Sequence, residues 1–447
     1  MKSNDLTKGG VTKTLVRFSL PFLLANLVQN LYGLVDLFVV GQFADAAGLS
    51  AVSLGGLMMG TFNCAVIGLT AGGTVLVGQL LGAKKDADLR ETVATMFSLY
   101  PIIAIALTAI LMLLSRPLMC LVNTPEECFD GALAYFRICI GGLIFTTGYN
   151  TLSAALRGLG DSKNPLLFVV AACIFNIIGD LILVAGCGMG AAGAAIATVA
   201  SQALSMLLGI FYLRKRDFVF DFKLKSFHLK GDKVRSLLRL GLPVCLQETL
   251  VMSSFIFLEA IINGMGYIAV AAAGVADKVF MVATIPAMAF SSSLSAMVAQ
   301  NIGAGLKDRA KRCLLVGGGI SFLIGVLLFI WMAAAPGSAI SVFTRDREVI
   351  ATAVNYLRSY KYEYLFCSLA FCISGFVNGT GHTRFTLINN FVSTFIVRVP
   401  LVFLFSRIEG ATLFTIGIAL PIASAVQMVT GLAYLRFGKW QNAEALK

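Results

Sequence analysis

Four oxygen-bearing side chains within apolar stretches of the chain are the residues best suited to chemistry: Asp36, Asn176, Asp180 and Thr198. An ionised carboxylate in the centre of a membrane span costs roughly 2.5–3.5 kcal/mol, so each aspartate there needs a compensating partner or a function. Two carboxylates close together in a poorly hydrated pocket do not both stay ionised without a counter-charge. The pattern therefore predicts a site that takes up a proton or a small hard cation such as Na⁺, with no other metal expected.

Spacing indicates that these four side chains meet. Asn176 and Asp180 are four residues apart, which places them one turn apart on one helix face. Counting the helical rise from the predicted ends of the spans places Asp36, Asp180 and Thr198 in the outer third of a bilayer. Two other interpretations remain open: Asp36 as a tolerated polar residue at a helix contact, and Asp180 paired with Arg137 or bonded locally.

The stretch that carries Asp36 is a single apolar segment, residues 18–41, long enough to span a bilayer. At about 3.6 residues per turn, Pro21, Gln29, Tyr32 and Asp36 lie near one face, so we expect a polar stripe that faces a cavity. Pro21 lacks a backbone donor, which predicts a kink.

Composition sets the class of protein. Of 447 residues, 58% are hydrophobic and 13% charged, as expected of a polytopic membrane protein. The net charge of +12 comes from short basic runs between apolar spans, so we expect no nucleic-acid partner. Ten scattered cysteines without a C-x-x-C pair, and two histidines in predicted loops, indicate no zinc site and no cofactor. We therefore expect no enzymatic activity.

Apolar windows predict twelve spans that alternate in direction. They are residues 14–40, 49–76, 92–114, 131–156, 165–186, 190–213, 236–262, 268–298, 313–335, 352–378, 384–406 and 411–435. Most of the 35 basic residues fall at the two termini and in the even-numbered connections. The positive-inside rule thus predicts a multi-pass membrane protein with both termini in the cytoplasm.

The two halves of the chain repeat one another at a nearly constant offset in numbering. Residues 77–83, VGQLLGA, are echoed by 298–304, VAQNIGA, and RGLG at 157–160 by NGTG at 378–381. Six spans per half make the repeat parallel, with an axis along the membrane normal. We expect an all-α fold with an N-lobe at 1–213, a basic cytoplasmic linker at 214–235 and a C-lobe at 236–447.

The second half carries a different set of charges in its spans. They are Glu248, Glu259, Asp277, Lys278, Lys361, Glu363 and Arg398. Glu259 aligns with Asp36 one residue out of register, whereas Val397 and Leu401 replace the Asn176 and Asp180 pair. Two interpretations stay open: the acids are neutralised by Lys361 and Arg398, or they form a second coupling site.

The sequence YGLVDLFVVG at 32–41, the doubled motif at 77–83 and 298–304, and RGLGD at 157–161 resemble the multidrug and toxic compound extrusion family, in its DinF-like branch. The resemblance runs over essentially the whole chain. It implies two six-helix lobes and an antiporter of the inner membrane that expels cationic or amphiphilic compounds in exchange for inward H⁺ or Na⁺.

The resemblance also implies roles for individual residues. The family's residues of the N-lobe cation site match Asp36, Asn176, Asp180 and Thr198. Its pocket-lining positions match Gln29, Tyr32 and Asn150. The proline at which span 1 is proposed to bend matches Pro21. The chain lacks the acid that sodium-coupled relatives keep late in span 10, since residues 371–379 contain none. Glu259 is the fourth residue that we predict for the substrate pocket, and it leaves open a site on span 7.

Partners follow from this interpretation. We expect small-molecule substrates, a lipid bilayer and a monomer. The alternative within transport is a flippase for a lipid-linked saccharide precursor of the same superfamily. A flippase of this kind needs basic residues to bind a pyrophosphate. The spans offer few such residues: Arg137, Lys361 and Arg398.

Overall fold

The computed structural model describes residues 5–122, 124–215 and 218–442. The residues of the first half that it describes form seven α-helices. They are α1 Val11–Phe43, α2 Ala46–Gly82, α3 Asp86–Leu121, α4 Glu126–Gly141, α5 Leu143–Gly158, α6 Lys163–Asp180 and α7 Gly190–Arg214. A π-helical segment, Leu181–Gly186, continues α6.

The second half forms ten α-helices within the described residues. They are α8 Gly231–Asn263, α9 Tyr267–Gly303, α10 Lys307–Ala334, α11 Pro336–Ile340, α12 Arg347–Tyr360, α13 Glu363–Gly379, α14 Thr383–Phe391, α15 Val399–Ser406, α16 Leu413–Gly417 and α17 Ala419–Phe437. A second π-helical segment, Val392–Arg398, joins α14 to α15.

Each of the twelve predicted spans coincides with one of these helices or with consecutive ones. In the described part of the chain, ten helices are long and apolar enough to cross a membrane, counting α6 and α14 each with its continuation and α16 with α17. Helices α4 and α5 reach the required length only together and are bent by 47° at the break between them, and α13 is a shorter apolar helix. The predicted all-α polytopic fold is confirmed.

The chain divides into two compact units. Within the described residues, the first unit holds residues 24–245, apart from the undescribed positions 123, 216 and 217, and the second holds residues 6–23 and 246–442. The predicted linker at 214–235 falls in the first unit. Helix α1 thus contributes its first part to the second unit, where Leu15 and Phe18 are buried in the core, and its second part to the first unit.

The internal repeat is visible in how each unit packs. In the first unit α5 packs against α2, α3 and α7; in the second, α13 packs against α9, α10 and α17. The repeated glycines lie at two close approaches between these helices. A Cβ at Gly158 would lie 2.8 Å from the Thr74 carbonyl, and one at Gly379 would lie 2.6 Å from the Ser295 carbonyl. Both pairs differ by the predicted offset, so the sequence repeat is a repeat of contacts.

The Gly379→Ala substitution is expected to lower stability by about 1–3 kcal/mol, since backbone atoms of α9 cannot move aside without separating two helices. The matched control is Gly274→Ala in α9, where nothing lies within 4 Å of the added methyl group. Alanine there improves helix propensity. Thermal unfolding of the purified protein in detergent should show a lower midpoint for Gly379→Ala alone. Equal midpoints for the two variants would contradict this account of the motif.

Candidate functional site

A cavity of about 600 Å³ lies within the first unit, between α1, α2, α4, α5 and α7. Its walls combine apolar side chains such as Met59 and Ile67 with a set of polar ones. The polar side chains are Gln29, Asp36, Ser53, Asn63, Tyr135, Thr146, Tyr149, Asn150, Thr198 and Gln202. An apolar cavity with a few convergent polar groups is the usual form of a small-molecule site.

Asp36 is the one charged residue among the described residues that line this cavity. It is only 5% exposed, and the Thr198 hydroxyl donates a hydrogen bond of 3.3 Å to its Oδ2. Its other oxygen, Oδ1, has no hydrogen-bond partner among the described residues. Val39 and Val40, one turn further along α1, are buried in the core of the first unit and hold this part of the helix in place.

Asn176 and Asp180 lie behind the cavity wall, on α6, and are completely buried. Both are near enough to Asp36 to act electrostatically on its carboxylate. In the part of the chain that the structure describes, none of their four side-chain polar atoms has a partner in hydrogen-bond geometry. Buried polar atoms are normally paired, so this set is suited to a bound cation or proton. The structure brings all four residues predicted for the cation site together.

The close approach of α6 to α7 explains how the two helices place their polar residues. A Cβ at Gly179 would lie 3.0 Å from the Ala197 side chain, and Asp180 and Thr198 are the next residue on each helix. The π-helical segment starts immediately after Asp180. Such segments interrupt regular α-helical hydrogen bonding and are frequent at functional sites.

The remaining residues of the predicted pocket have different positions. Gln29 and Asn150 line the cavity, and the Asn150 amide donates to the Thr146 carbonyl at 2.9 Å. The side chain of Tyr32 lies outside the described part of the structure. Glu259 is exposed on α8, in the second unit, and is not among the residues that line this cavity.

Two further residues from the sequence predictions are Pro21, the predicted hinge, and Arg137, the alternative partner of Asp180. Pro21 lies inside the continuous helix α1, in the part that belongs to the second unit. Arg137 does not pair with Asp180 in the structure: its Nε donates to the Ser115 hydroxyl at 2.9 Å.

Six polar residues of the cavity were not predicted from the sequence: Ser53, Asn63, Tyr135, Thr146, Tyr149 and Gln202. Of these, Asn63 lies on α2 and Gln202 on α7. Gln202 had a usable signal, since it lies four residues after Thr198 and hence on the same helix face. Asn63 is one polar residue in a long apolar helix, and its sequence position does not show which face meets the cavity. Its Oδ1 has no hydrogen-bond partner among the described residues.

Three of the charged residues predicted for the spans of the second half, Glu363, Arg398 and Lys361, contact polar or aromatic side chains. Ser424 donates a 2.6 Å hydrogen bond to Glu363, and Arg398 donates to Ser254 at 3.3 Å. The Arg398 guanidinium also lies 5.0 Å from the centre of the Phe255 ring. Lys361 lies over the rings of two aromatic residues, at 5.8 and 5.4 Å from their centres. Glu363 and Arg398 are both buried.

A family model described as MatE matches this chain twice, at residues 21–182 and 243–404. The chain belongs to the MatE family. The second match follows the first at the offset of the internal repeat. The resemblance to the multidrug and toxic compound extrusion family is thereby confirmed, and the DinF-like branch stays a prediction.

Relatives of this MatE protein cover nearly its whole length. It is 28% identical over 441 residues to "Probable multidrug resistance protein YpnP" of Bacillus subtilis (strain 168), covering 99% of this chain and 98% of the relative. It is 24% identical to "Multidrug export protein MepA" of Staphylococcus aureus (strain NCTC 8325 / PS 47), covering 91% and 89%.

Among solved structures, that of a MATE protein "in complex with MaL6" matches with a TM-score of 0.91 and 22% identity, over 99% of this chain and 100% of the other. This likeness agrees with the predicted MATE-like fold.

Proposed function

We propose that this MatE protein is a secondary antiporter that expels cationic or amphiphilic compounds in exchange for inward H⁺ or Na⁺. The observation that carries the proposal is the position of the Asp36, Asn176, Asp180 and Thr198 group beside a largely apolar cavity. The names of the relatives, a multidrug export protein and a probable multidrug resistance protein, support the same substrate class.

The donor set suits both ions. Two carboxylates, an amide oxygen and a hydroxyl are hard oxygen ligands, which small hard cations prefer. The same carboxylates take a proton when no cation neutralises them. The protein itself supplies this chemistry, so the proposal needs no organic cofactor.

Exchange requires that the ion and the substrate bind differently to the outward-open and inward-open states. In the outward-open state the carboxylates take up the ion, which reduces the negative charge beside the cavity by one unit. A cationic substrate held there is then released. Opening towards the cytoplasm discharges the ion. Pro21 serves as the hinge of α1 in this scheme, because no backbone hydrogen bond is formed by its nitrogen.

The cavity supports this function over that of a flippase for a lipid-linked saccharide. A pyrophosphate requires basic partners. None of the described residues lining the cavity is a lysine or an arginine. The acidic lining suits a cationic substrate instead.

The proposal places the protein in the bacterial cell membrane as a monomer, with both termini in the cytoplasm. Support for this orientation comes from the basic residues at the termini and in the even-numbered connections.

The test is efflux of a fluorescent lipophilic cation from proteoliposomes that contain the purified protein. A sodium gradient and a proton gradient are imposed in separate experiments. We expect efflux with one of the two gradients and none when both are collapsed. No gradient-driven efflux would contradict the proposal, and scrambling of a labelled lipid-linked saccharide instead would support the flippase.

A further inference from the structure

The second unit contains another cavity, of about 690 Å³, at the end where α10 begins. The start of α1 supplies Val11 to its wall, the segment 305–312 forms one side, and Trp440 and Gln441 close it. We call this cavity the basic pocket. Its charged lining consists of four bases and one acid: Lys307, Arg309, Lys311, Arg312 and Asp308.

The hydrogen bonds that these bases make to described residues go mainly to uncharged groups. Lys307 donates to the Gln441 carbonyl at 2.7 Å, and Arg309 donates at 2.8 Å to the carbonyls of Lys8 and Gly9. Lys311 lies 3.9 Å from Asp308. Carbonyl groups orient a cation without cancelling its charge. The five charged side chains of the pocket therefore leave an excess of positive charge in a concave site.

The corresponding positions of the first unit show that this charge is not a requirement of the fold. The offset between 77–83 and 298–304 places Asp86, Asp88 and Glu91 where the second unit has bases. Lys233 is buried and pairs with Asp88 at 2.5 Å, and Lys230 pairs with Glu91. Two of the three acids in the first unit are thus paired with lysines of the same unit.

The second unit reverses the sign at these three positions, with Lys307, Arg309 and Arg312. The segment that packs against the start of α10 here is residues 6–9, which offers backbone carbonyls to Arg309. The same position in the repeat holds two ion pairs in one unit and a cationic cavity in the other.

The surface of α10 next to the pocket is apolar and exposed. Leu315 is 73% exposed, and Leu323 and Leu327 follow on the same helix at 59% each. Arg312 precedes Leu315 by three residues, so the charged and apolar side chains lie on adjoining parts of one face. An amphiphile with an anionic head and hydrocarbon chains is complementary to this arrangement.

We propose that the basic pocket binds a phosphate group, carried by an anionic phospholipid whose acyl chains lie along α10. Arginine and lysine are the residues that recognise phosphate, by paired hydrogen bonds and by charge respectively. Basic pockets between membrane helices bind lipid headgroups in this way. The site belongs to the second unit, whereas the cavity of the proposed ion exchange belongs to the first, and the proposal does not depend on that function.

The experiment measures lipid binding to the full-length protein by native mass spectrometry, with phosphatidylglycerol and phosphatidylcholine as probes. The test variant is Lys311→Gln/Arg312→Gln, in which both positions are exposed. The matched control is Lys84→Gln/Arg90→Gln, which removes two exposed bases from the first unit, Arg90 being the counterpart of Lys311. Soluble glycerol phosphate is tested in parallel.

We expect the wild type and the control to retain phosphatidylglycerol over phosphatidylcholine, and the test variant to bind it about thirtyfold more weakly. Each basic side chain near an anionic headgroup contributes about a factor of five. If glycerol phosphate also binds, and the test variant weakens its binding to the same extent, the pocket is a phosphate site whose ligand is a soluble phosphate compound. Equal losses in test and control variants, or no loss in either, would overturn the proposal. Thermal unfolding without added lipid checks that both variants are folded.

Discussion

The Asp36→Asn variant is expected to lose gradient-driven export by about a hundredfold, the upper range of a typical coupling free energy. Asparagine has the shape of aspartate, and its amide oxygen can still accept the hydrogen bond from Thr198. It carries no charge and takes no proton at neutral pH, so the ion gains nothing by binding there. Efflux from proteoliposomes under the productive gradient measures the loss.

The control for this prediction is Ser53→Ala, in the same cavity. The Ser53 hydroxyl already donates to the Leu49 carbonyl of its own helix at 2.9 Å, so its removal leaves no other polar group unpaired. Its export should stay within about a factor of two of the wild type, since surface changes of this kind alter energies by about 0.5 kcal/mol. Wild-type export by Asp36→Asn, or an equal loss in Ser53→Ala, would remove Asp36 from the coupling site.

The spans and the repeat were predictable because both are visible in the order of residue types along the chain. Apolar windows predicted every membrane helix to within several residues. The bend in span 4 was missed, since hydropathy does not report backbone direction. That bend lies at Gly142, between α4 and α5, beside a second glycine at 141. Paired small residues of this kind are a known cause of kinks.

The proximity of the four candidate residues was predictable from spacing and depth, although they come from three helices, and their role as a cation site stays a prediction. Asn176 and Asp180 share a face by their spacing, and depth counting placed Asp36 and Thr198 at the same level. The wider cavity was not predictable in the same way. Which helix face meets it depends on packing between helices, and a lone polar residue such as Asn63 does not specify that.

Alignment within the repeat was a weaker guide to function than to fold. Glu259 aligns with Asp36 to within one residue, yet it is exposed on α8 while Asp36 is buried. The same backbone repeat therefore supports different side-chain environments. The charge reversal between the starts of α3 and α10 is another case, since it leaves the helix pairs of both units intact.

The Asp180→Asn variant is expected to lose the stabilisation that the coupling ion gives to the wild type. Asp180 is completely buried beside Asp36, and both of its oxygens lack a hydrogen-bond partner among the described residues. A bound H⁺ or Na⁺ cancels one of the two negative charges, which weakens the repulsion within the pair and therefore favours the folded state. At a concentration one hundred times its dissociation constant, an ion that binds only the folded state adds about 2.7 kcal/mol.

Thermal unfolding in detergent measures this effect, with sodium exchanged for choline at constant ionic strength and, in a second series, with pH lowered at constant sodium. The wild type and Ser53→Ala should gain stability with the coupling ion, whereas Asp180→Asn should gain little. The variant should also be the more stable protein without the ion, because it removes the repulsion between two buried carboxylates. If the ion still stabilises Asp180→Asn as it does the wild type, but does not stabilise Asp36→Asn, then only Asp36 and Thr198 belong to the ion site. Loss of the response in both variants would mean that the two carboxylates bind one ion together, and export would then depend on both.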